Sequence, residues 1–129
     1  MKNYKGMPSL EGHKVIIKVM KEHGISRLID WGTPSISFKS DKTSFITVIP
    51  KLLAGIFHRQ GKKELIAISK LIVDSGLDWT LVRFLAPKDT PYTGMVKVSF
   101  GDITMDMKIS RSDIAGFMVR QLTSKQYLH

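Results

Sequence analysis

The sequence predicts an α/β fold with a parallel sheet, and three observations lead to that class. Short apolar runs at 27–31 and 79–85 alternate with segments whose apolar residues recur at helical spacing. The run at 79–85 is almost continuously hydrophobic, as expected of a parallel strand that is buried on both faces. Gly24 and Gly76 stand where a helix has to end before each strand begins. Helices that alternate with short apolar strands are typical of parallel α/β sheets.

The first of these units is a helix followed by a strand. The spacing predicts a helix over 10–23, with Ser9 as its N-cap and Gly24 as a left-handed residue at its C-terminal end. Arg27 to Trp31 then form the strand, and Gly32 opens the loop behind it. The apolar stripe that faces the core recurs at i, i+3, i+4 and i+7. Its members are His13, Ile16, Ile17 and Met20.

The middle of the chain holds two more helices and the second strand. A helix is predicted over 45–58, kinked or restarted at Pro50, where the ring removes a backbone donor. Gly61 separates it from a helix over 62–74 that packs on the sheet. The second strand, 79–85, follows directly and completes the α/β arrangement.

Near the C-terminus the pattern changes to an alternation of apolar and polar residues. Residues 95–100 and 104–109 both alternate, and Gly101-Asp102 lies between them, so a β-hairpin is predicted. A final helix is predicted to run from the capping-box pattern at 110–113 to about Leu122. Its inward-facing residues are predicted to be Ile114, Phe117, Met118 and Leu122.

Composition and charge narrow the class of protein. With 129 residues the chain is long enough for one domain with one core, spanning 1–129. It has no cysteine, which excludes disulfides and thiolate metal sites and suits a reducing cytoplasm. No signal peptide and no membrane-spanning run is predicted. The net charge is +9, but the lysines are scattered without an aromatic platform, so a solvated basic face is favoured over nucleic-acid binding.

Several chemical motifs are missing from the sequence. It contains neither a Gly-x-Gly-x-x-Gly nor a Gly-x-x-Gly-x-x-Gly turn, and it has no P-loop. It has no Tyr-x-x-x-Lys pair, and its four histidines lack metal-ligand spacing, so no catalytic residue and no metal site is assigned. His13 is interpreted as a packed residue. Ser110 and Asp113 are interpreted as a helix cap, since no histidine stands near them.

Position in the fold indicates two loops as the place where a ligand would bind. In open α/β sheets ligands bind beyond the carboxyl ends of the strands, which selects the loops at 30–35 and 84–88. The first loop offers hydroxyls from Thr33 and Ser35, and the second offers backbone groups and an apolar wall. The alternative is that both are ordinary strand-end loops rich in proline and glycine.

Parts of the chain resemble a known family. Residues 75–83, Thr93-Gly94 and 109–115 resemble the C-terminal half of an atypical short-chain dehydrogenase/reductase, the NAD(P)H-binding group that includes NmrA-like proteins and flavin or biliverdin reductases. The resemblance covers nearly the whole chain and implies a partial Rossmann-like, NAD(P)-binding α/β fold with flanking helices, a C-terminal β-hairpin and a helix. It also implies NAD or NADP as cofactor and a small-molecule substrate. The residues that would flank the nicotinamide and the substrate are Thr33, Pro34, Ser35, Phe84, Leu85, Ala86 and Pro87.

The chain also departs from the family pattern. Gly32 stands where a serine is usual, and Asp30-Trp31 replace aliphatic or aromatic residues. Ser69 stands where a glutamate is common, and Phe84 replaces the proline that usually follows the arginine at Arg83. The N-terminal strands and the glycine-rich turn, which hold the pyrophosphate in that family, are not in the sequence. We therefore expect a truncated domain with little dinucleotide affinity of its own.

Two functions remain open at this point. The first is a fragment of an NAD(P)H-dependent reductase, in which hydride transfer requires the missing half. The second is a non-catalytic, NmrA-like sensor or protein-interaction module. The strand at 28–31 is expected to lack its neighbour, and an unpaired apolar edge promotes association. A homo-oligomer, or a partner that covers this edge, is therefore predicted.

Overall fold

A computed structural model describes residues 6–34, 36–38, 41–42, 59–103 and 109–129. Within these ranges helices and strands alternate, in the order α1 (Pro8–Glu22), β1 (Arg27–Gly32), α2 (Arg59–Val73), β2 (Asp78–Arg83) and α3 (Arg111–Arg120). The helix predicted over 45–58 lies outside the described residues.

The sheet of the described chain is a parallel pair. β1 and β2 lie side by side in register, from Arg27 opposite Asp78 to Gly32 opposite Arg83. Helices flank this pair, and the arrangement confirms the predicted α/β class and its partial Rossmann-like form. The core between α1, α2 and the sheet consists of Ile17, Ile68, Ile72 and Leu77.

The two ends of α1 are satisfied in different ways. At the C-terminal end Gly24 has φ +67°, and its N–H bonds the Lys21 carbonyl at 3.2 Å while the Ile25 N–H bonds the Met20 carbonyl at 2.8 Å. This is the predicted left-handed helix end. The N-cap prediction for Ser9 is wrong, because the helix begins two residues earlier than predicted, at Pro8, and Met7 is the capping position.

A residue from another helix takes over the N-terminal cap of α1. The Glu64 carboxylate on α2 accepts the N–H groups of Ser9 and Leu10, at 2.6 and 3.1 Å. A carboxylate is well suited to this place, because the free N–H groups at the start of a helix carry partial positive charge. The contact therefore fixes α2 against the beginning of α1.

The inward stripe of α1 differs from the prediction at one position. Ile17 is buried and Met20 is half-buried against the core, as expected. Ile16 is 51% exposed and does not belong to the stripe. Leu10 packs against the core in its place, seven residues or about two helical turns before Ile17.

α2 begins three residues earlier than predicted, at Arg59, and ends at Val73, one residue before the predicted end. Gly61 lies inside the helix, so it does not separate two helices at that point. At the other end the Ser75 hydroxyl donates to the Ile72 carbonyl at 2.6 Å and accepts the Leu77 N–H at 3.1 Å. Gly76 follows with φ +72° and turns the chain into β2.

β2 is less buried than its hydrophobic sequence predicts. Thr80 is buried, but its neighbours along the strand are half-buried. The helices α1 and α2 cover the side that carries Trp79 and Leu81. Within the described residues, β1 is the only strand that pairs with β2. The expectation of full burial on both faces is therefore wrong.

The first strand of the predicted β-hairpin, 95–100, is not formed. Residues 95–100 have neither helix nor strand structure, and residues 104–108 lie outside the described ranges. The segment 93–103, called the strap below, is held at both ends instead. The Asp113 carboxylate holds its start, and Lys42 holds its end.

α3 begins with the predicted cap. The Ser110 hydroxyl accepts the Asp113 N–H at 3.0 Å, which confirms the capping interpretation. The helix ends at Arg120, before Leu122, which is 58% exposed rather than inward-facing. Gln121 is buried at that end instead.

Candidate functional site

The two loops selected from the sequence lie next to each other at the carboxyl edge of the sheet. The Phe84 N–H donates to the Gly32 carbonyl at 3.3 Å, which continues the pairing of the strands by one residue. The rings of Trp31 and Phe84 stack, with their centroids 5.6 Å apart and their planes 20° apart. Trp31 is 53% exposed, so the stacked pair presents an apolar wall to solvent.

The first loop turns sharply after β1. The Ile36 N–H donates to the Thr33 carbonyl at 3.1 Å, and Thr33 and Ile36 are both buried. Pro34 is half-buried at the turn. Ser35 lies outside the described residues. The first loop contacts the second through Trp31 and Gly32, the two residues directly before Thr33 and Pro34.

The second loop carries a strained residue. Ala86 has φ +37°, a left-handed conformation that an L-residue with a side chain adopts rarely. Behind it the Lys88 N–H donates to the Ile109 carbonyl at 2.9 Å, and the Lys88 carbonyl accepts the Arg111 N–H at 3.0 Å. The loop is thus fixed to the start of α3. Backbone strain of this kind persists where neighbouring structure holds it, and such positions cluster at binding sites.

Arg83 anchors the segment that follows the first loop. Its guanidinium donates to the Ile36 carbonyl at 2.6 Å and to Asp41 Oδ2 at 2.7 Å, and its second terminal nitrogen donates to the other carboxylate oxygen. The guanidinium carbon also lies 5.2 Å from the centroid of the Phe38 ring. The sequence identified Arg83 only as the arginine that ends the strand, and its partners come from a distant segment.

This ion pair lowers the pKa of Asp41. Burial alone would raise it, but hydrogen bonds from the Arg83 side chain and the Phe38 N–H, together with the charge of Arg83, outweigh burial and hold the pKa below its ordinary value. A carboxylate with a lowered folded-state pKa stabilises the fold above its unfolded-state pKa. That stability is lost as the pH falls through the folded-state value.

We expect Asp41→Asn to lower the free energy of unfolding by about 1–3 kcal/mol at neutral pH, because it removes the charged acceptor of Arg83. The difference from the wild type should shrink as the pH falls below about 4, the ordinary pKa of an aspartate, because the unfolded chain then binds a proton that the folded Asp41 carboxylate, with its lowered pKa, still resists. Urea unfolding at a series of pH values measures both effects.

Asp74→Asn is the matched control for this experiment. Its partner Lys70 lies four residues away on an exposed helix surface, and exposed pairs of this kind contribute little. A difference between wild type and Asp41→Asn that persists unchanged at low pH would contradict the assignment to the ion pair.

Asp113 performs a structural function at the start of the strap. Its Oδ1 accepts the N–H groups of Thr93 and Gly94, at 2.9 and 2.8 Å, and its Oδ2 accepts the Thr93 hydroxyl at 2.9 Å. Burial opposes the charge, but these hydrogen bonds outweigh it and lower the pKa of Asp113. The carboxylate is fully engaged by the scaffold, which agrees with its interpretation as a non-catalytic residue.

His13 and Asp30 form a contact that the sequence did not indicate. The His13 Nε2 lies 3.0 Å from Asp30 Oδ2, and its Nδ1 lies 2.6 Å from the Ser9 carbonyl oxygen. The Asp30 Oδ1 accepts the Trp31 N–H at 2.8 Å. Both nitrogens of the ring face acceptors, so both bonds form together when each nitrogen carries a proton. His13 is a packed residue, as expected, and it joins α1 to β1.

The described residues show no metal site. No group of three or more histidine, cysteine, aspartate or glutamate side chains in those ranges could hold a metal ion. Within the same part of the chain, no helix is both long and apolar enough to cross a membrane.

The sequence of the chain matches a known protein family. A family model described as NAD(P)H-binding matches residues 3–125, so the chain belongs to this NAD(P)H-binding family. The resemblance drawn from 75–83, Thr93-Gly94 and 109–115 is confirmed at that level. No curated protein matches the chain.

Proposed function

We propose that this domain takes part in hydride transfer with a nicotinamide dinucleotide, as part of an oxidoreductase of the atypical short-chain reductase type. The observation that carries the proposal is the contact between the two loops at the carboxyl edge of a parallel strand pair, in a chain of the NAD(P)H-binding family. This is the edge at which open α/β sheets bind their ligands. In the proposal Thr33, Pro34, Ser35, Phe84, Leu85, Ala86 and Pro87 flank the nicotinamide and the substrate.

The residues present suit one end of the cofactor better than the other. The stacked pair of Trp31 and Phe84 offers a flat apolar wall for a nicotinamide ring, and the buried turn at Thr33 lies beside it. A bound dinucleotide would supply the hydride itself. The chain would position the ring and shield it from water. The diphosphate end needs a glycine-rich turn at a helix N-terminus, and the sequence contains no such turn.

Titration of the isotope-labelled chain with NADPH and NADH, followed by amide chemical shifts, tests the proposal. Because the diphosphate turn is missing, we expect dissociation constants no tighter than about 1 mM. We expect the shift changes to concentrate at Trp31, Thr33 and 84–86. Shift changes confined to other parts of the chain, or none at millimolar cofactor, would contradict the proposed site. Micromolar binding would contradict the inference that the chain lacks a site for the diphosphate.

Phe84→Ala is the variant for this titration, and Leu128→Ala is its control. Removing the Phe84 ring takes away half of the apolar wall, so the shift changes at Thr33 should weaken severalfold. Leu128 is 38% exposed near the C-terminus and lines neither loop, so its loss should leave the changes intact.

A second candidate function is a sensor or interaction module on the same scaffold, and the surroundings of Gly32 favour it. A Cβ at Gly32 would lie 2.9 Å from Ile36 Cδ1 and 3.4 Å from Leu81 Cδ2. The position where the family usually has a serine is thus filled by apolar side chains. Steady-state assays with NADPH and quinones, flavins or biliverdin separate the two functions. Turnover supports the reductase, and specific shift changes without turnover support the sensor.

A further inference from the structure

A cavity of about 170 Å³ runs along the edge of β2 that faces away from β1. Its walls include every successive residue from Trp79 to Leu85. Side chains alternate between the two faces of a strand, so a cavity on one face touches only every second residue. A cavity that touches all of them follows the strand edge and borders its backbone.

The hydrogen-bonding direction of each residue in β2 identifies the groups that face this cavity. The N–H groups of Asp78 and Phe84 point to β1, where they bond carbonyls. The alternation of a β-strand then turns the backbone groups of 79, 81 and 83 to the opposite edge. Trp79 confirms this direction, because it exchanges two hydrogen bonds with His129, at 3.1 and 3.0 Å.

Leu81 and Arg83 therefore direct their backbone N–H and C=O groups at the cavity. Among the described residues no backbone group pairs with them on that side. Buried backbone groups nearly always have a partner, and an unpaired one costs about as much as a lost hydrogen bond. Leu81 and Arg83 are half-buried, so a ligand that bonds their backbone groups and excludes water from them would add these hydrogen bonds to its apolar contacts.

The other walls of the cavity are apolar and come from separate parts of the chain. Aromatic rings of Phe38, Phe100, Phe117 and Tyr127 line it, together with Val96 on the strap. The strap itself is fixed at both ends. The Asp113 carboxylate holds Thr93 and Gly94. The Lys42 ammonium bonds Asp102 at 3.1 Å. The cavity is thus preformed.

We propose that this cavity binds a flat aromatic molecule of one or two fused rings that carries a lactam edge. A lactam places an N–H beside a C=O on one side of the ring. These two groups match the Leu81 carbonyl and the Arg83 N–H, which lie two residues apart on the same strand edge. An apolar cavity of about 150 Å³ holds one benzene ring. This cavity is slightly larger and is partly open, so it has room for one ring or for two fused rings. A peptide strand paired along 79–85 would be roughly 20 Å long and does not fit this volume.

The probes that test the proposal are 2-quinolone, N-methyl-2-quinolone and naphthalene. All three have two fused rings, but only 2-quinolone offers both an N–H and a C=O. Each lost hydrogen bond to a buried backbone group should weaken binding about tenfold. We expect 2-quinolone to bind tightest and to shift the Arg83 amide resonance most. The N-methyl compound should bind about tenfold more weakly, and naphthalene weaker still.

Equal affinity for the three probes would overturn recognition by the strand edge, and so would binding of none of them. Shift changes at 33–36 and 84–87 without any at 79–83 would place the ligand in the strand-end loops instead. This readout separates the cavity from the proposed cofactor site, and the experiment contains no dinucleotide. Its result therefore does not depend on the proposed function.

Val96→Phe provides a test from the protein side. Val96 lines the cavity, so a larger ring there should fill it and weaken 2-quinolone binding at least tenfold. Val119→Phe is the matched control, since Val119 is 64% exposed on α3 and does not line the cavity. Unchanged binding by a folded Val96→Phe chain would contradict the proposal. The comparison of the three probes on the wild-type chain is independent of how either variant folds.

Discussion

Replacing Ile72 by alanine is expected to lower the free energy of unfolding by about 3–4 kcal/mol. Ile72 is 1% exposed, and it packs with Ile17, Ile68 and Leu77 between the helices and the sheet. Alanine leaves a cavity that these neighbours can fill only in part. A domain of this size has a total stability of about 5–15 kcal/mol, so the loss is a large fraction of it. Urea unfolding followed by circular dichroism measures the change.

The adjacent residue on α2 supplies the control for this substitution. Val73 is 43% exposed, so Val73→Ala removes little buried surface, and alanine is the better helix former. We expect a change of less than about 0.5 kcal/mol, with either sign. If Ile72→Ala differed from the wild type by as little as Val73→Ala does, the assignment of the core to this cluster would be wrong.

The elements that the sequence predicted well are those whose signals are local. Gly24 and Gly76 end their helices because only glycine enters the left-handed region without cost. Ser110 caps α3 through a bond to a residue three positions away. The two strands are short apolar runs between these signals. Each of these features is decided within a few residues, so the pattern alone is enough.

The elements that the sequence missed depend on contacts between distant segments. The cap of α1 comes from Glu64, which is 55 residues from Ser9, and no local pattern could indicate it. Residues 95–100 of the strap alternate between apolar and polar like a strand, but they have no strand structure. The start of the strap is hydrogen bonded to Asp113, 20 residues from Thr93. Every residue of 95–100 lines the cavity along β2, apolar and polar alike, so the alternation here does not reflect a strand with one buried face.

The candidate site divides in the same way. The rule that ligands bind at the carboxyl ends of parallel strands selected both loops from the sequence. The structure brings their described residues together through Gly32 and Phe84. The ion pair of Arg83 with Asp41 joins positions 42 residues apart and could not be read from spacing. The role of Thr33, Pro34, Ser35 and 84–87 in cofactor binding stays a prediction, and so does the predicted homo-oligomer.

Arg27→Ala is expected to lower the free energy of unfolding by about 2–3 kcal/mol, because one guanidinium joins the sheet to the end of α3. Arg27 Nε and Nη2 donate to the Gln121 carbonyl at 3.1 and 2.9 Å. Nη1 donates to the Asp78 carbonyl at 2.9 Å, and Nη2 also donates to the Thr80 hydroxyl at 2.7 Å. Gln121 is the C-cap of α3, where a positive charge also favours the helix dipole.

Arg27→Lys separates charge from geometry in this cluster. Lysine keeps the positive charge at the helix end but lacks the planar fork that reaches several acceptors at once, so it should recover about half of the loss.

Arg120→Ala is the control at the same end of α3. Arg120 is exposed and has one long contact of 3.4 Å with the Tyr92 hydroxyl, so its removal should cost less than about 0.5 kcal/mol. Hydrogen exchange at the amide of Gln121 should accelerate in Arg27→Ala and stay unchanged in Arg120→Ala. Equal exchange rates in the two variants would show that Arg27 does not hold α3 to the sheet. The helix would then be fixed by Ile114 and the Asp113 contacts alone, and the wall of the cavity near Phe117 would not depend on β1.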